Sequence, residues 1–386
     1  MMQKKKILFL AHANSINRIR VVNYFARNGW ETHWITYTDP VDRVDPDVKL
    51  YTAKQMKVAT YNLLQRVRYY SKFIQDKVRS IKGPLVMNAH EIYTWGLYGS
   101  AVKKKDPNVT LVLTTVGFNH IRTAKGMRKK LEKKAFERAD LVVMYFQEMA
   151  DLIADTYSVG RDNFLVYYTK GIDLDVFRKG YEKEVADLKS ELKIPEGAKV
   201  VLSPRNMYRT YGIEHIVTSI PDVLKKHPDT HYVFLKGYGD MDFLKEMKKE
   251  CKKLGVSENV RFVEDLVPYE KMPALYNMAD ITVMLPDTDN SSYSLKEAIS
   301  CGSVIIATDI SCNQEWVTPG ENGFLVDAKG TGLSKIINKV LSSEEMRNDF
   351  YLKNKKIVED RGDWNKNMKI LEDAILEKYK KNAGKS

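Results

Sequence analysis

The chain has 386 residues, more than one hydrophobic core usually organises, so we expect two domains. Hydrophobic residues make up 44% of the sequence and charged residues 29%, which is ordinary for a globular protein and excludes a disordered chain. The formal net charge of +12 favours an anionic partner, such as a phosphorylated small molecule, a phospholipid surface or a nucleic acid.

The cysteines and the hydrophobic runs indicate the compartment. Cys251, Cys301 and Cys312 have no metal-ligand spacing and fit a reducing environment. The apolar run at residues 7–11 follows three lysines, but it is about half as long as the shortest usual signal sequence and predicts a buried strand instead. No run reaches the roughly 18 apolar residues that span a bilayer. We therefore expect a cytoplasmic protein, either soluble or peripheral on the inner face of the cytoplasmic membrane.

Strand-like and helix-like stretches alternate along the whole chain. In the first half, residues 18–29 predict a helix, and strands are predicted at residues 7–11, 32–37, 85–88, 111–115 and 141–145. The pattern restarts after residue 177, with strands predicted at residues 200–203, 231–236, 260–263, 281–285 and 304–307. The helices predicted between them span residues 212–226, 241–254, 269–278 and 294–301. Strands separated by helices favour parallel sheets, so the sequence predicts two α/β domains that face each other across a cleft.

The polar segment after the predicted strand at residues 281–285 is the best candidate for a ligand site. Asp287-Thr-Asp-Asn-Ser-Ser292 is rich in loop and helix-capping residues, and the helix that follows is predicted to end at Gly302. In open α/β sheets, ligands bind where the carboxyl end of a strand opens into such a turn, and the N–H groups of a helix N-terminus suit a diphosphate. Glu297 lies about one turn inside the helix. Its carboxylate can accept hydrogen bonds from ribose hydroxyls there.

Residues 289–302 read Asp-Asn-Ser-Ser-Tyr-Ser-Leu-Lys-Glu-Ala-Ile-Ser-Cys-Gly. They resemble the acidic-x7-Glu motif of retaining glycosyltransferases with the GT-B fold, family 4 (group 1), and are similar to its variant Asp-Gly-Thr-Ser-x-Ser-Leu-Leu-Glu-Ala-Met-Ala-x-Gly. The resemblance implies that Asp289 lies beside the donor sugar and that Glu297 binds the nucleotide ribose.

The resemblance also implies the GT-B domain organisation. Residues 1–180 would form an N-terminal Rossmann-like domain that binds the acceptor, with residues 171–177 closing it. Residues 181–363 would form a C-terminal Rossmann-like domain that binds the nucleotide sugar. The final helix, residues 364–386, would begin at Trp364 and pack back on the N-terminal domain.

Other positions of the second half agree with the family. Arg205 occupies the place of the diphosphate-binding arginine, and the lysine usually found five residues later is replaced by Thr210. Arg209 is the available substitute, and both arginines would stabilise charge on the leaving diphosphate. The further donor contacts that we expect are Gly237, Tyr238, Gly239, Leu266, Asn290, Ser291, Ser292 and Tyr293.

The first half departs from the family at two loops. Asn14 and Ser15 are the candidate phosphate contacts where relatives carry a glycine-rich loop. Val116 stands where the family has its histidine, and His120, four residues later, is the candidate catalytic substitute. On the acceptor side, the resemblance implies contacts from His90, Glu91 and Asn119.

Two basic stretches with interspersed aromatic or apolar residues, 54–82 and 122–138, explain much of the positive charge. Such stretches can lie on anionic lipid, with each cation near the surface contributing about 1 kcal/mol. The alternative is a pair of solvated helical faces. The first interpretation predicts an anionic membrane surface as a partner.

The expected reaction is transfer of a sugar, with retention, from a nucleotide diphosphate sugar to a lipid-linked or cell-surface glycan. A UDP-sugar is the favoured donor and a GDP-sugar the next. We expect no cofactor beyond the donor and no metal. Asp287-Thr-Asp289 matches the Asp-x-Asp metal site of the other major glycosyltransferase fold, but its place before a helix of the second domain favours the metal-free motif.

Two alternatives stay open at this point. The nearest enzymatic one is a nucleotide-sugar epimerase or phosphorylase of the GT-B fold. The other is a non-enzymatic basic protein that binds nucleic acid or membrane. We expect no nucleic acid as a partner, because the sequence carries no recognised motif for that role.

Overall fold

The computed structural model describes residues 4–52, 62–115, 118–167, 171–289 and 292–384. The contacts divide the chain into two units. Unit 1 comprises residues 1–169 together with residues 366–386, and unit 2 comprises residues 170–365. Each unit is a parallel sheet with helices between its strands, so the α/β class with two Rossmann-like domains is confirmed.

The described strands of unit 1 form one parallel sheet in the order β3-β2-β1-β4-β5-β6-β7. They are β1 (Lys6–Leu10), β2 (Glu31–Thr36), β3 (Lys49–Thr52), β4 (Val86–His90), β5 (Thr110–Thr114), β6 (Leu141–Met144) and β7 (Phe164–Val166). The central strands are continuous runs of buried residues, as expected of a parallel sheet that helices cover on both faces.

The helices of unit 1 connect these strands. They are α1 (Ile16–Arg27), α2 (Leu63–Ser80), α3 (Leu97–Lys105), α4 (Phe118–Arg122), α5 (Gly126–Arg138) and α6 (Gln147–Tyr157). A π-helical segment, Glu91–Gly96, joins β4 to α3. Helix α2 begins with a capping box, in which Asn62 accepts from the N–H of Gln65 and the Gln65 side chain accepts from the N–H of Asn62.

The strands of unit 2 that the structure describes form a parallel sheet in the order β10-β9-β8-β11-β12-β13. They are β8 (Lys199–Ser203), β9 (Thr230–Leu235), β10 (Val260–Val263), β11 (Ile281–Met284), β12 (Val304–Thr308) and β13 (Phe324–Val326). Two apolar clusters pack against this sheet. One includes Ile213, Ile220 and Phe350, and the other includes Tyr276 and Trp316.

The remaining helices are α7 (Glu182–Glu191), α8 (Ile213–Leu224), α9 (Met241–Lys253), α10 (Met272–Met278), α11 (Tyr293–Ser300), α12 (Ser311–Gln314), α13 (Leu333–Leu341), α14 (Glu344–Arg361) and α15 (Trp364–Ala383). Most of α15 packs within unit 1. The Glu372 carboxylate on α15 accepts hydrogen bonds from Trp30 Nε1 at 2.9 Å, Lys5 Nζ at 3.2 Å and Tyr24 Oη at 3.2 Å. The predicted return of the last helix to the N-terminal part of the chain is therefore confirmed.

The predicted strands and helices all occur, with ends shifted by a few residues. The predicted helix at 269–278 begins only at Met272, after a 3-10 turn over Tyr269–Lys271. The strands β3 and β7 are missing from the prediction, because they are edge strands of only four and three residues. The long helix α14 is also missing, since its charged residues surround it without a clear apolar stripe.

Residues 171–177 differ from their predicted role. They lie in unit 2 rather than closing the first domain, because Ile172 and Phe177 are buried in its core. Gly171 has a φ of +84°, and a Cβ atom there would lie 2.6 Å from the backbone of Asp363. Only glycine fits this close approach. In the described part of the chain, no helix is long and apolar enough to cross a membrane.

Candidate functional site

Polar side chains collect at the same place in each sheet. Strand order reverses between β1 and β4 in unit 1 and between β8 and β11 in unit 2. Loops that leave the carboxyl ends of two such neighbouring strands diverge and open a crevice, where ligands of open α/β sheets bind.

In unit 2, the predicted strand–turn–helix is formed by β11, the loop after it and α11. Ser292 is the N-cap of α11, and its hydroxyl accepts a hydrogen bond from the N–H of Leu295 at 3.2 Å. This cap fixes the start of the helix and directs its first N–H groups towards the loop. Asn290 and Ser291, two predicted contacts, lie outside the described residues.

Arg205 connects the loops after β8 and β11. Its Nη1 lies 3.1 Å from Asp289 Oδ2 and donates to Ser292 Oγ at 3.4 Å. Its guanidinium also lies 4.3 Å from the centre of the Tyr211 ring. The side chains of Arg205 and Asp289 are only 15% and 16% exposed. The structure thus brings Arg205 to two residues of the predicted motif, and it places a partly buried guanidinium beside a helix N-terminus.

The Gly-x-Gly turn after β9 packs against the loop that carries Arg205. A Cβ atom on Gly237 would lie 1.9 Å from Asn206 Oδ1, and one on Gly239 would lie 2.4 Å from the nitrogen of Met207. The N–H of Tyr238 donates to Asn206 Oδ1 at 3.4 Å, and the Tyr238 side chain is exposed. The two glycines therefore allow the loops after β8 and β9 to touch, which keeps the Arg205 loop in place.

Glu297 lies on α11, mostly buried, and accepts a hydrogen bond from Tyr276 Oη at 3.1 Å. Burial, followed by the negative charge of Glu297, raises the pKa of Tyr276 well above its ordinary value, so the tyrosine remains a donor. Tyr293, the first residue of α11, is half-buried. Leu266 is exposed and lines a cavity of about 760 Å³ in unit 2 with Val267.

Arg209 is not brought to this group. Its guanidinium pairs with Glu246 on α9 and lies 4.7 Å from the Phe243 ring centre, and its side chain is 62% exposed. Arg209 begins the 3-10 turn Arg209–Tyr211, and its side chain contacts α9. Of the two predicted arginines, Arg205 therefore contacts Asp289 and Ser292, and Arg209 contacts Glu246.

In unit 1, Glu91 is the centre of a polar cluster at the carboxyl ends of β1 and β4. Its carboxylate accepts hydrogen bonds from Arg18 and, at 3.3 Å, from Tyr93 Oη, and it lies 3.6 Å from His12 Nε2. Burial, only partly opposed by the charge of Glu91, lowers the pKa of His12, so its ring is neutral at neutral pH. We call these four residues, His12, Arg18, Glu91 and Tyr93, the unit 1 cluster.

Glu91 also has a φ of +66°, which is rare for a residue with a side chain. It starts the π-helical segment, and such segments and backbone strains concentrate at functional sites. This conformation holds the Glu91 side chain at the carboxyl end of β4. Together with its three partners, this makes Glu91 the strongest candidate among the predicted acceptor-side residues.

The other residues predicted in unit 1 are placed as follows. His120 on α4 is exposed and stacks on the Tyr93 ring with centroids 4.0 Å apart, so it borders the unit 1 cluster. His90 is only 2% exposed and packs edge-on against Phe9, which places its ring in the core. Asn14 Oδ1 accepts from Arg18 at 3.2 Å, and Ser15 is the N-cap residue of α1. Val116 and the side chain of Asn119 lie outside the described residues.

Four residues near these sites were missed from the sequence. His12 and Arg18 join Glu91 only through the fold, because they lie on the loop after β1 and on α1, whereas Tyr93 lies two residues after Glu91 in the same π-helical segment. Lys296 is fully buried inside the motif helix, next to Glu297. A lysine at an inward-facing position of a helix was the available signal, since lysine is rarely buried without a specific environment.

Cys251, Cys301 and Cys312 are all reduced and buried, and burial raises the pKa of Cys312 to about 12, so its thiol is protonated at neutral pH. Among the residues that the structure describes, no three His, Cys, Asp or Glu side chains form a group that could hold a metal ion.

Two family models match the sequence. Residues 184–357 match the model described as glycosyl transferases group 1, and residues 6–145 match the model described as glycosyl transferase 4-like. Together the two matches cover most of both units. The match over residues 184–357 includes Arg205, Asp289 and Glu297, and the match over residues 6–145 includes Glu91.

Individual relatives are distant. The chain is 26% identical over 227 residues to a D-inositol 3-phosphate glycosyltransferase of Corynebacterium urealyticum, an alignment that covers 57% of this chain and 53% of the relative. It is 23% identical over 296 residues to spore coat protein SA of Bacillus subtilis, covering 73% of this chain and 75% of that protein. The match therefore spans about half the length of the first relative and three quarters of the second.

Solved structures with a similar fold align with nearly the whole chain. A glycosyltransferase of Rickettsia africae aligns with a TM-score of 0.78 and 16% identity over 100% of both chains. The Anabaena protein HepE, solved in complex with UDP, aligns with a TM-score of 0.77 and 16% identity over 96% of this chain and 100% of its own. At such identities the likeness concerns the fold alone.

Proposed function

Because the chain belongs to the group 1 glycosyltransferases of the GT-B fold, we propose that it transfers a sugar from a UDP-sugar to a glycan acceptor with retention of anomeric configuration. A GDP-sugar is the second choice of donor. The observation that carries the proposal is the contact of Arg205 with both Asp289 and Ser292 at the switch point of the second sheet.

In the proposed donor complex, the diphosphate binds beside Arg205 and the N-terminus of α11. The guanidinium and the helix N–H groups stabilise the negative charge that grows on the diphosphate as the sugar bond breaks. Asp289 accepts hydrogen bonds from the sugar hydroxyls, and Glu297 accepts them from the ribose. The preference for UDP is supported by HepE, which was solved with UDP and with UDP-glucose.

In the proposed acceptor complex, the unit 1 cluster binds sugar hydroxyls. Glu91 and the neutral His12 supply acceptors, while Arg18 and Tyr93 supply donors, and this mixed set suits a polyol better than an apolar molecule. His120 borders the cluster through its stack on Tyr93. A lipid-linked or cell-surface glycan is the acceptor that we propose.

No metal ion takes part in the proposed reaction. The support is the chemistry of the site: a guanidinium and helix N–H groups already provide the positive charge that a divalent cation provides elsewhere. Unchanged activity in a chelator supports this part of the proposal, and a strict requirement for manganese contradicts it. Retention is checked by measuring the anomeric configuration of the product by NMR.

We also propose that unit 1 binds anionic membrane through α5. The outer face of this helix exposes Lys129, Lys130 and Lys134 together with Met127, while Glu132 is buried in ion-paired contact with Arg128. Cations beside an apolar side chain suit the surface of an anionic bilayer. Salt-sensitive binding to phosphatidylglycerol vesicles, weakened in a triple Lys→Gln variant of this face, is expected. Equal binding to phosphatidylcholine vesicles contradicts it.

Thermal melting with UDP-, GDP- and ADP-linked sugars tests the donor. A ligand at 100 times its Kd stabilises the folded state by about 2.7 kcal/mol, so the UDP-sugar is expected to raise Tm by several degrees. The Arg205→Met variant should lose this shift, while its Tm without ligand remains measurable. If no nucleotide sugar shifts the wild-type Tm, the proposed function is wrong.

A further inference from the structure

The ring of Tyr211 supports the guanidinium of Arg205. The guanidinium carbon lies over this ring, 4.3 Å from its centre, a distance at which an aromatic face attracts a cation. The Nη1 atom of the same guanidinium lies 3.1 Å from Asp289 Oδ2 and 3.4 Å from Ser292 Oγ. Arg205 is therefore held by two different kinds of contact, one with the ring and one with the residues before α11.

The backbone around Tyr211 is fixed to the segment that follows β11. The N–H of Asp287 donates to the carbonyl of Thr210 at 3.1 Å. Gly212 has a φ of +60°, and a Cβ atom there would lie 2.7 Å from the carbonyl oxygen of Leu285, so only glycine fits. The Tyr211 side chain is half-buried and packs against one of the two apolar clusters of unit 2. The position of the ring is therefore set by the packing of unit 2 itself.

The contact with the ring and the hydrogen bonds of Arg205 use different parts of the guanidinium. Hydrogen bonds to carboxylates and phosphates use the N–H groups at its edge, whereas an aromatic ring attracts its delocalised charge. A phosphate oxygen that binds Arg205 therefore competes with Asp289 and Ser292 but does not displace the ring. Since Arg209 contacts Glu246 instead, the proposed diphosphate site depends on the placement of this one guanidinium.

We propose that Tyr211 is a positioning residue of the donor site, whose ring holds the Arg205 guanidinium in place while its N–H groups change partner from Asp289 to the diphosphate. This role rests on the proposed function, because it needs a nucleoside diphosphate beside Arg205. An arginine that is already ordered loses less conformational entropy when it binds a ligand. The ring should therefore strengthen the binding of the diphosphate part of the donor and leave the binding of its nucleoside part unchanged.

A comparison of UDP with uridine isolates the diphosphate. Tyr211→Leu keeps an apolar side chain against the core and removes the ring, so Kd for UDP should rise about tenfold, equivalent to about 1.4 kcal/mol, which a partly buried cation–π contact can supply. Kd for uridine, which has no phosphate, should change less than about twofold. Tyr211→Phe keeps the ring, so its Kd for UDP should stay within about twofold of the wild-type value. Calorimetry measures UDP and NMR titration measures uridine; if a GDP-sugar is the donor that raises the wild-type Tm, GDP and guanosine take their places.

The same change should lower kcat. Negative charge grows on the diphosphate as the sugar bond breaks, so a guanidinium that is held in place stabilises the transition state more than the bound donor. We expect kcat of Tyr211→Leu to fall roughly tenfold, and that of Tyr211→Phe to stay within about twofold of the wild-type value. In a double-mutant cycle, Tyr211→Leu should have no further effect in the Arg205→Met background, because the group that it positions is gone.

The matched control is Tyr351→Leu, which removes a contact of the same kind from the same unit. Lys179 Nζ lies 3.9 Å from the centre of the Tyr351 ring. Lys179 also packs against Gly302, which places this contact beyond the C-terminal end of α11, at the opposite end of the helix from Ser292. Kd for UDP and kcat of the control should equal those of the wild type. If Tyr211→Leu lowers Tm below the assay temperature, Tyr211→Met takes its place.

Three outcomes each overturn the positioning role. They are an equal loss of UDP and uridine affinity in Tyr211→Leu, a loss in Tyr211→Phe as large as that in Tyr211→Leu, and unchanged Kd and kcat in Tyr211→Leu. The proposed function survives all three as long as a nucleotide sugar raises the wild-type Tm. If no nucleotide sugar raises it, the proposed function fails and the positioning role fails with it.

Discussion

Each unit holds an arginine–carboxylate pair where the strand order of its sheet reverses. In unit 2 the pair is Arg205 and Asp289, after β8 and β11, and in unit 1 it is Arg18 and Glu91, after β1 and β4. Both pairs are mostly buried, and both lie at the carboxyl ends of central strands. They differ in what surrounds them: unit 2 adds a capped helix N-terminus, and unit 1 adds a histidine and a tyrosine.

This difference indicates a division of labour. A guanidinium beside helix N–H groups suits a diphosphate, because both attract negative charge. In the unit 1 cluster the carboxylate already pairs with Arg18, and the neighbouring His12 is neutral, so hydroxyl groups are the better ligands. We therefore propose that the same position in two similar sheets binds two different ligands, so that changes in one pair should leave the other ligand's binding intact.

The largest effect is expected at Arg205. Arg205→Met removes the charge beside the diphosphate and leaves Asp289 without this ion pair, so kcat should fall about 10³-fold. Arg209→Met should change kcat less than about threefold, since Arg209 is exposed and pairs with Glu246 instead. Steady-state kinetics of both variants check this. Equal losses would contradict the pairing of Arg209 with Glu246 of α9.

The next largest effect concerns the ribose. Glu297→Gln weakens the acceptor for ribose hydroxyls, so KM for the UDP-sugar should rise roughly tenfold while kcat changes little. The wild type should bind UDP more tightly than 2′-deoxy-UDP, and the variant should discriminate less between them. Calorimetry with both nucleotides measures this. Discrimination that survives in the variant would assign the ribose to another residue.

Whether two residues of a site can be predicted together from the sequence depends on their spacing. Asp289 and Glu297 lie in one contiguous segment between a strand and a helix, and periodicity with capping residues predicts such a segment well. Arg18 and Glu91 are 73 positions apart and meet only because β1 and β4 are neighbours, which composition and spacing do not reveal. The rotation of Arg209 towards Glu246 likewise depends on the packing of α9.

The fold, like the motif at residues 289–302, was predictable because contiguous stretches of sequence carry its pattern. Buried parallel strands are continuous apolar runs, so β1, β5 and β11 were identified within one or two residues. Edge strands such as β3 have half-exposed residues and no such run. The local pattern does not show that residues 171–177 belong to unit 2, because this depends on the contact of Gly171 with Asp363, almost two hundred positions along the chain.

A smaller effect is expected at Glu91. Glu91→Gln removes the charge that Arg18 and His12 share, so KM for the glycan acceptor should rise about fivefold. Hydrolysis of the donor without acceptor should keep its rate, because the Arg205 site is unchanged. The matched control is Glu148→Gln, which breaks the exposed pair with Arg122 in the same unit. A parallel loss of donor hydrolysis would contradict the division between the two pairs.

The smallest effect on activity is expected at Glu372, which separates the stability of unit 1 from the function of its cluster. Burial favours the protonated form of this carboxyl, but hydrogen bonds from Trp30, Lys5 and Tyr24 outweigh it and lower the pKa of Glu372 below its ordinary value. The ionised carboxylate therefore stabilises the fold at pH values above the ordinary carboxyl pKa, and this stabilisation is lost as the pH falls through the lowered pKa.

Glu372→Gln should cost about 2 kcal/mol at pH 7, a fall in Tm of about 6 °C, with kcat and both KM values unchanged at 25 °C. The difference in Tm between variant and wild type should shrink as the pH falls towards 3, because the wild-type carboxylate is then protonated. A changed acceptor KM at 25 °C would mean that α15 influences the unit 1 cluster and that loss of scaffold stability can imitate loss of the Glu91 contacts.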